Sequence, residues 1–553
     1  MTGGQIIAEW MEAFGLGAFF HVPGETFLSV LDALYDRPGI RVVTFRHESG
    51  AAFAAEAYGK LGGRPAVAMG TRGPGASNLS IGVQTARYDG TPMVVLLGQV
   101  PRESADSGAF QEIDMGQFYA PLAKRVIRVQ TAEALPAALS QAVAVATEPR
   151  PGPVVVVLPT DLLSGPGPER PIFARLTAHP TSFDPAPVVR TLETAERPVL
   201  LVATEAVRGP AAADLARFAS AAGLPVLTAW RRFSAYPNDD PQFVGSVGIG
   251  APAGVVETLV EADLVLVLGW GLEHITVAGG ARLGPTRRVV QMAPALDADG
   301  VRRVGGARVE WVAVEPREAA RALREWAERH PEAAAAFRER FAPRTERLRA
   351  RLEADTRAPA DPAPGRVHMD FWAGALDRRL PDDAVVVSDA GNFAQWLLRY
   401  VRFGGRRAFL APVNGAMGYA LPGALGARVA AARPVWAVAG DGGFFMTLGE
   451  LETAVRERLD VVAVVVNNAR YGTIRANQER EYPGRVIGSE LSEVDVAAVA
   501  RTVGWRSWRV TADADLDDAL EAAAAATGPR LVEVVVEREP LALSLRDFQR
   551  HDA

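Results

Sequence analysis

The chain has 553 residues, too many for one core and enough for about three domains, and its 48% hydrophobic and 22% charged residues mark it as globular. A net charge of −6 argues against a nucleic-acid surface, which needs a clustered basic excess. The absence of cysteine excludes disulfides, thiolate metal sites and a cysteine nucleophile, and seven histidines with no pair at helical ligand spacing argue against a histidine zinc site.

At the N-terminus, "MTGGQIIAEWMEAFGLG" carries acids and polar breaks where a signal peptide needs a basic start and an apolar core. No stretch of the chain is an uninterrupted apolar run long enough to span a bilayer. The expectation is a cytoplasmic enzyme with a small-molecule substrate and with neither a membrane segment nor a nucleic-acid partner. Further along, "RPAVAM", "TPMVVLLGQ", "GPVVVVLP", "RPVLLVA", "ADLVLVLGW", "DAVVVSDAG", "RPVWAVAGDGG" and "LDVVAVVVNN" alternate with Ala-rich amphipathic stretches. Continuous apolar strands separated by helices predict an α/β fold of mostly parallel sheets with helices on both faces. Two Pro-rich stretches, "SGPGPERPIF" (164–173) with "HPTSFDPAP" after it and "ADTRAPADPAPGR" (354–366), read as extended linkers. They divide the chain into domains at 1–163, 188–345 and 367–553. No internal repeat is visible by eye, although the first and third blocks share one cadence of strands and helices.

Two turns in the last block carry chemistry. Asp441 in "GDGGFF" directly follows one apolar strand, and Asn467 and Asn468 end the next, with 24 residues between Gly442 and Asn467, room for one helix and one strand. In open parallel sheets ligands sit at the carboxyl ends of strands, so the two turns can be spatial neighbours. An Asp carboxylate, an Asn carbonyl and a nearby main-chain carbonyl are hard oxygen ligands that suit Mg²⁺. Gly440, Gly442 and Gly443 would let phosphate approach the backbone. A lone GDGG is most simply a tight turn; the paired spacing favours an anchor.

Together the two turns resemble the signature of thiamine-diphosphate-dependent enzymes. "HVPGETF", "RHESGAAFAAEAYGK", "TRGPGASN", "GAFQEID" and "NGAMGYALPGA" follow in order and are most similar to the acetolactate synthase branch, over nearly the whole chain. The resemblance implies thiamine diphosphate and Mg²⁺ as cofactors, with Asp441, Asn468 and the main-chain carbonyl of Arg470 as metal ligands. It makes residues 1–163 the pyrimidine-binding domain, 188–345 a central domain and 367–553 the diphosphate-binding domain. Glu48 is placed to share a proton with the cofactor's pyrimidine N1′, among small apolar neighbours that would desolvate it; a helix-start glutamate is the plainer alternative. Met417 resembles the wedge that bends the cofactor so that its amino group lies against the reacting carbon, with the Gly415 carbonyl and Met417 N–H reading the pyrimidine edge. Gly391, Asn392 and Phe393 are assigned to the diphosphate cradle with Gly440, Gly442, Gly443, Tyr471 and Gly472. Pro23, Gly24, Thr71, Pro74 and Asn78 are assigned to the cofactor from the N-terminal blocks, and Phe110 and Gln111 face the reacting carbon. In the family the Glu-bearing domain of one subunit meets the metal-bearing domain of another, so a homodimer or homotetramer with interfacial active sites is expected.

Departures from the branch bear on substrate and flavin. Acetolactate synthases hold the second 2-oxo acid with a middle-domain arginine and a tryptophan after the asparagine pair; the corresponding places are "GLEHI" (271–275) and Asn477, and neither group is present. Arg470 and Arg475 are candidate carboxylate clamps, with solvated surface arginines as the alternative. Where the branch places acids for a non-redox FAD, "VVQMAPALD" (289–297) carries Ala293 and Ala295, so FAD is doubtful and the middle domain reads as structural. The leading function is decarboxylation of a 2-oxo acid, pyruvate or a relative, with transfer of the acyl carbanion to an acceptor. The alternatives are a simple 2-oxo acid decarboxylase or C–C lyase, and a non-catalytic homologous subunit.

Overall fold

In the computed structural model, which describes residues 1–148, 150–175, 183–204, 209–284, 287–294, 303–304, 307–538 and 543, the apolar runs of the sequence become three separate sheets. The first contains β1 (Ala18–His21), β2 (Arg41–Thr44), β3 (Ala66–Thr71), β4 (Met93–Gln99), β5 (Arg125–Arg128) and β6 (Pro153–Pro159), all parallel in the order β2-β1-β3-β4-β6-β5. The second contains β7 (Pro198–Val202), β8 (Val226–Thr228), β9 (Phe243–Ser246), β10 (Leu264–Leu268), β11 (Arg288–Ala293), β12 (Arg303–Val304) and β13 (Ala307–Ala313). Its order is β12-β13-β11-β10-β7-β8-β9, and only β12 runs antiparallel to its neighbour. The third contains β14 (Val385–Ser388), β15 (Ala408–Leu410), β16 (Val435–Gly440), β17 (Val462–Asn467), β18 (Arg506–Val510) and β19 (Arg530–Val535), parallel in the order β15-β14-β16-β17-β19-β18. The central strands β4, β6 and β17 are buried almost end to end, the condition that makes such strands continuously apolar rather than alternating.

Counted within each domain, the first and third sheets share the order 2-1-3-4-6-5. The two blocks are therefore a repeat of topology, which a residue-by-residue reading misses because only the strand cadence is common. The linker reading of 354–366 is shortened by the helix Pro331–Asp355, which runs into it. The segment 164–173 is extended beyond Ser164, joined to the N-terminus by a bridge between Thr2 and Pro166; residues 176–182, inside the second Pro-rich stretch, lie outside the described residues.

Two contacts fix how the domains meet. The helix Glu48–Gly62 lies against the helix Ala420–Ala430, where a Cβ at Gly426 would collide with the Ala54 carbonyl, and against the helix Arg72–Asp89, where a Cβ at Gly82 would collide with Ala52. Small residues there allow backbone approach that larger ones would block. Beside it, a buried polar network joins all three domains. Lys60 Nζ donates to Asp89 Oδ2 at 2.7 Å and to the Ala411 carbonyl at 3.0 Å, and lies 3.0 Å from Glu56 Oε1. Glu56 also accepts from Thr91 and Tyr419, each at 2.6 Å. Asp89 accepts the Val413 N–H, while Arg232 of the middle domain lies 3.8 Å from Asp89 and 3.7 Å from Glu273. Burial pushes the Glu56 and Glu273 carboxyls above their ordinary range, opposed by the nearby cations Lys60 and Arg232 respectively. Removing one member strands buried charge, so Asp89→Ala should lower unfolding stability by about 3–5 kcal/mol. Denaturant unfolding followed by tryptophan fluorescence checks this, and a wild-type midpoint would refute it.

Candidate active site

β14 and β16 are adjacent although β15 lies between them in sequence, so the chain reverses direction across the sheet at this point, the place where doubly wound folds open a crevice. Gly440 pairs with Val466 in register, and the turns after β16 and β17 are consequently neighbours. The Asp441 carboxylate is buried, and the main-chain N–H groups of Asn468 and Gly442 point at it. Burial raises its pKa to about 6 against the pull of those donors.

The two asparagines do different work. Asn467 is buried and structural: its Nδ2 donates to Glu533 Oε1 at 2.8 Å and to the Val494 carbonyl at 3.0 Å, and its Oδ1 accepts the Ala469 N–H at 3.1 Å. That last bond supports Ala469 at φ 53°, a left-handed conformation rare without glycine, which turns the chain toward Arg470. Asn468, by contrast, faces a chamber of ≈ 320 Å³ with Asp441 and Arg470.

Other predicted residues line the same chamber: Gly391, Asn392 and Phe393 after β14, Gly415 and Met417 after β15, Gly440, Gly442 and Gly443, and Tyr471 and Gly472. A Cβ at Gly442 would lie 2.6 Å from the Tyr471 ring, and one at Gly443 would collide with Asp389 Oδ2, so these positions tolerate no side chain. Asp389, in the turn just before Gly391, is a further residue of the site that the sequence pattern does not single out. This fully buried carboxylate accepts the N–H groups of Gly418 and Tyr419 at 3.0 Å each and of Ala390 at 3.1 Å, and so fixes the loop bearing Met417. Burial raises its pKa to about 6. An acid directly after a buried strand was the available signal.

Among the described residues no three His, Cys, Asp or Glu side chains gather around one point. Asp441, Asn468 and Arg470, which line the chamber together, carry a carboxylate, an amide and a main-chain carbonyl, hard oxygen donors of the kind that suits a Mg²⁺ completed by water and phosphate oxygens. The glycine rim fits the approach of a diphosphate.

The remaining predicted residues form a second cluster at the carboxyl end of the first sheet. Gly24 packs on Thr71, whose Oγ1 lies 2.7 Å from Thr26 Oγ1. Glu48 Oε2 accepts from Asn78 Nδ2 at 2.9 Å, and Glu48 Oε1 lies beside Gly75, one residue after Pro74. Gln111, at φ 65°, accepts the Gly73 N–H at 2.8 Å, while Phe110 is 77% exposed and Pro23 is also exposed. Glu48 remains half-buried, so one chain alone desolvates it only in part. The turn that presents it is held from the third domain: the buried Glu450 accepts the His47 and Arg46 N–H groups at 3.1 and 3.3 Å. None of this second cluster lines the chamber.

Two expectations need correction. Arg470 and Arg475 are poor carboxylate clamps because both already pair with Glu490, and Arg475 also with Glu479 at 2.8 Å. The middle domain is more than structural: Trp230, Arg231, Ile249 and Ile275 line the chamber. Ile275 lies in "GLEHI", which therefore reaches the chamber with an apolar side chain.

The chain belongs to the thiamine pyrophosphate enzyme family: it matches that family's N-terminal TPP binding domain over residues 1–118, its central domain over 186–304 and its C-terminal TPP binding domain over 389–534. It is 30% identical to the acetolactate synthase large subunit of Parasynechococcus marenigrum over 575 residues, 97% of this chain and 88% of that protein. It is also 29% identical to acetolactate synthase of Mycobacterium bovis over 97% of this chain and 88% of the relative, and 27% identical to the isozyme 1 large subunit of Escherichia coli over 97% and 94%. It is thus a thiamine-diphosphate-dependent enzyme of the acetolactate synthase branch. No helix among the described residues is long and apolar enough to cross a membrane.

The asparagine pair offers a direct check. Asn468→Ala should weaken Mg²⁺-dependent thiamine diphosphate binding at least about tenfold with stability nearly unchanged. Asn467→Ala should instead cost about 1–3 kcal/mol of stability, because it removes the side-chain bonds to the buried Glu533 and to the Val494 carbonyl and the support of the Ala469 N–H. Calorimetric titration and denaturant unfolding of both variants separate the roles, and identical behaviour would contradict the assignment.

Proposed function

We propose that the enzyme decarboxylates a 2-oxo acid and transfers the resulting acyl carbanion to an acceptor carbonyl. The observation that carries this reading is the meeting of Asp441, Asn468 and the glycine rim with Gly415 and Met417 in one chamber. Asp441, Asn468 and the Arg470 carbonyl would hold Mg²⁺, and Gly391, Asn392, Phe393, Gly440, Gly442, Gly443, Tyr471 and Gly472 the diphosphate. When bound, thiamine diphosphate supplies a stabilised carbanion at its thiazolium carbon. Residues 1–163 would then bind the pyrimidine, 188–345 form the central domain and 367–553 hold the diphosphate.

Glu48 would share a proton with the pyrimidine N1′, oriented by the Asn78 amide and by Glu450 behind its turn. Pro23, Gly24, Thr71 and Pro74 flank it, and Phe110 and Gln111 would border the reacting carbon. Because this cluster does not line the chamber of its own chain, we assign it to the chamber of a second subunit in a homodimer or homotetramer. Exposed apolar side chains beside each cluster support that: Phe110 at 77% and Ile81 at 38% on one, Met446 at 53% and Phe445 at 38% on the other. Pairing the two clusters would also complete the burial of Glu48.

FAD is left out of the reading. Ala293 at the end of β11 is buried and offers no acid to a ribose, Ala295 lies outside the described residues, and the middle sheet's crevice is bridged by the Gly271 N–H donating to the Ala203 carbonyl at 3.1 Å. Simple decarboxylation is the second reading, favoured by the apolar Trp230, Ile249 and Ile275 of the chamber wall.

Glu48→Gln should retain cofactor yet slow exchange of the thiamine C2 proton into deuterium oxide by about two orders of magnitude, the effect of losing a positioned acid. Quenched-exchange NMR measures it, and an unchanged rate would remove Glu48 from the role. The reaction itself is tested by mass spectrometry of mixtures with pyruvate and larger 2-oxo acids plus added aldehydes. Carbon dioxide with a ligated product supports the proposal, and no decarboxylation of any 2-oxo acid by cofactor-loaded enzyme would sink it.

A further inference from the structure

Gly415 and Met417 reach the chamber on the loop 412–419, which has no strand or helix of its own and yet is fixed at both ends by buried groups from all three domains. At its start the first domain holds it: Asp89 accepts the Val413 N–H at 3.2 Å, and Asn414 Nδ2 donates to Thr85 Oγ1 at 3.1 Å. From the middle domain, Arg231 Nη1 donates to the Pro412 carbonyl at 2.9 Å. At the far end Asp389 of the third domain accepts the Gly418 N–H on one carboxylate oxygen and the Tyr419 N–H on the other, and Thr447 Oγ1 donates to the Gly418 carbonyl at 3.0 Å. Only the middle of the loop projects, with Gly415 exposed and Met417 half-buried.

Two further features favour a charged Asp389 in one fixed place. It lies at the N-terminal end of the helix Ala420–Ala430, where the helix dipole favours negative charge. Arg231 is a buried guanidinium with no ion pair among the described residues, and the two acids that act on it, Asp389 and Asp89, are the two anchors of the loop. One arginine thus opposes the charge at both ends. Arg231 is itself held at φ 58°, a conformation an arginine keeps only where its surroundings over-determine it: the Trp230 N–H donates to Thr276 Oγ1 at 3.1 Å and the Arg232 N–H to the Ala229 carbonyl at 3.0 Å. The metal turn packs on the other side of the carboxylate, since a Cβ at Gly443 would collide with Asp389 Oδ2. Close packing leaves nothing soft to absorb a shift of Asp389, and the loop must follow it.

Resting on the reading of Met417 as the wedge beneath the bound cofactor, we infer that Asp389, with Arg231 as its counter-charge, is a positioning residue of the reaction: it holds the loop 412–419 where the cofactor's pyrimidine amino group reaches the reacting carbon. Asp389 does not itself line the chamber and acts only through Gly415 and Met417. The metal ligands stand on other turns, so a fault at Asp389 shows in alignment and not in affinity.

Asp389→Asn keeps the shape of the side chain but turns one of its two acceptors into an NH2 group that faces a main-chain donor. In the cofactor-free chain, amide-exchange mass spectrometry resolving residues 413–419 should find the Gly418 and Tyr419 amides protected in wild type and at least about tenfold less protected in the variant, the loss of a hydrogen bond to a charged group. In the loaded enzyme, Asp389→Asn should slow exchange of the thiamine C2 proton by about tenfold to a hundredfold, the effect of a small misplacement, while thiamine diphosphate affinity with Mg²⁺ stays within about threefold. Unprotected Gly418 and Tyr419 amides in wild type overturn the inference, whether or not the variant folds. So does a variant whose affinity falls as far as its exchange rate, the mark of a merely structural residue. Wild-type C2 exchange in Asp389→Asn where Met417→Ala is slow overturns the inference alone, whereas wild-type exchange in Met417→Ala overturns the wedge reading and the inference with it.

Discussion

The parallel register of β16 with β17 is the constraint on which the site depends. Pairing Gly440 with Val466 leaves no freedom in where the next residues of each strand go, and Asp441 and Asn468 arrive side by side at the crevice. Sheet hydrogen bonding thereby brings a carboxylate into a buried position that it would not occupy alone, and the Asn468 and Gly442 N–H groups hold it there. Asp389 extends the same logic: three main-chain donors satisfy its buried carboxylate, and the loop that supplies two of them carries Met417. Acid placement and loop geometry are one construction.

A second level of organisation lies between domains. The Glu56, Lys60, Asp89, Arg232 and Tyr419 network ties the three sheets through buried charge, which demands tight geometry because each unpaired member is expensive. Arg231, next to Arg232, projects from this junction into the chamber wall. The middle domain therefore shapes the chamber from the same short segment that anchors it to its neighbours.

The parts of this organisation that were readable from the sequence are those governed by local pattern. Valine-rich runs announce doubly covered parallel strands, and the GDG and NN turns announce a site because strand ends fix where they fall. What escaped reading depends on long-range packing. Asp389 looked like an ordinary residue beside a glycine turn, and its importance comes from donors some 30 positions away at Gly418 and Tyr419. Arg231 looked like one of many arginines; only its burial in the chamber wall without an ion pair among the described residues, a three-dimensional fact, sets it apart. Arg470 and Arg475 looked available for a substrate, but Glu490, on a later loop, had already claimed them. The shared topology of the first and third sheets was hidden for a similar reason: strand order is set by which strands pair, and pairing leaves little trace in residue identity.

The most direct measurement is calorimetric titration of thiamine diphosphate into the cofactor-free protein with Mg²⁺ present and with the metal removed by EDTA. If Asp441, Asn468 and the Arg470 carbonyl form half of a metal cage that the diphosphate completes, binding should be tight with Mg²⁺ and at least about a hundredfold weaker without it, a coupling of about 2.7 kcal/mol. Equal affinity in the presence and absence of the metal would contradict the assignment of these residues.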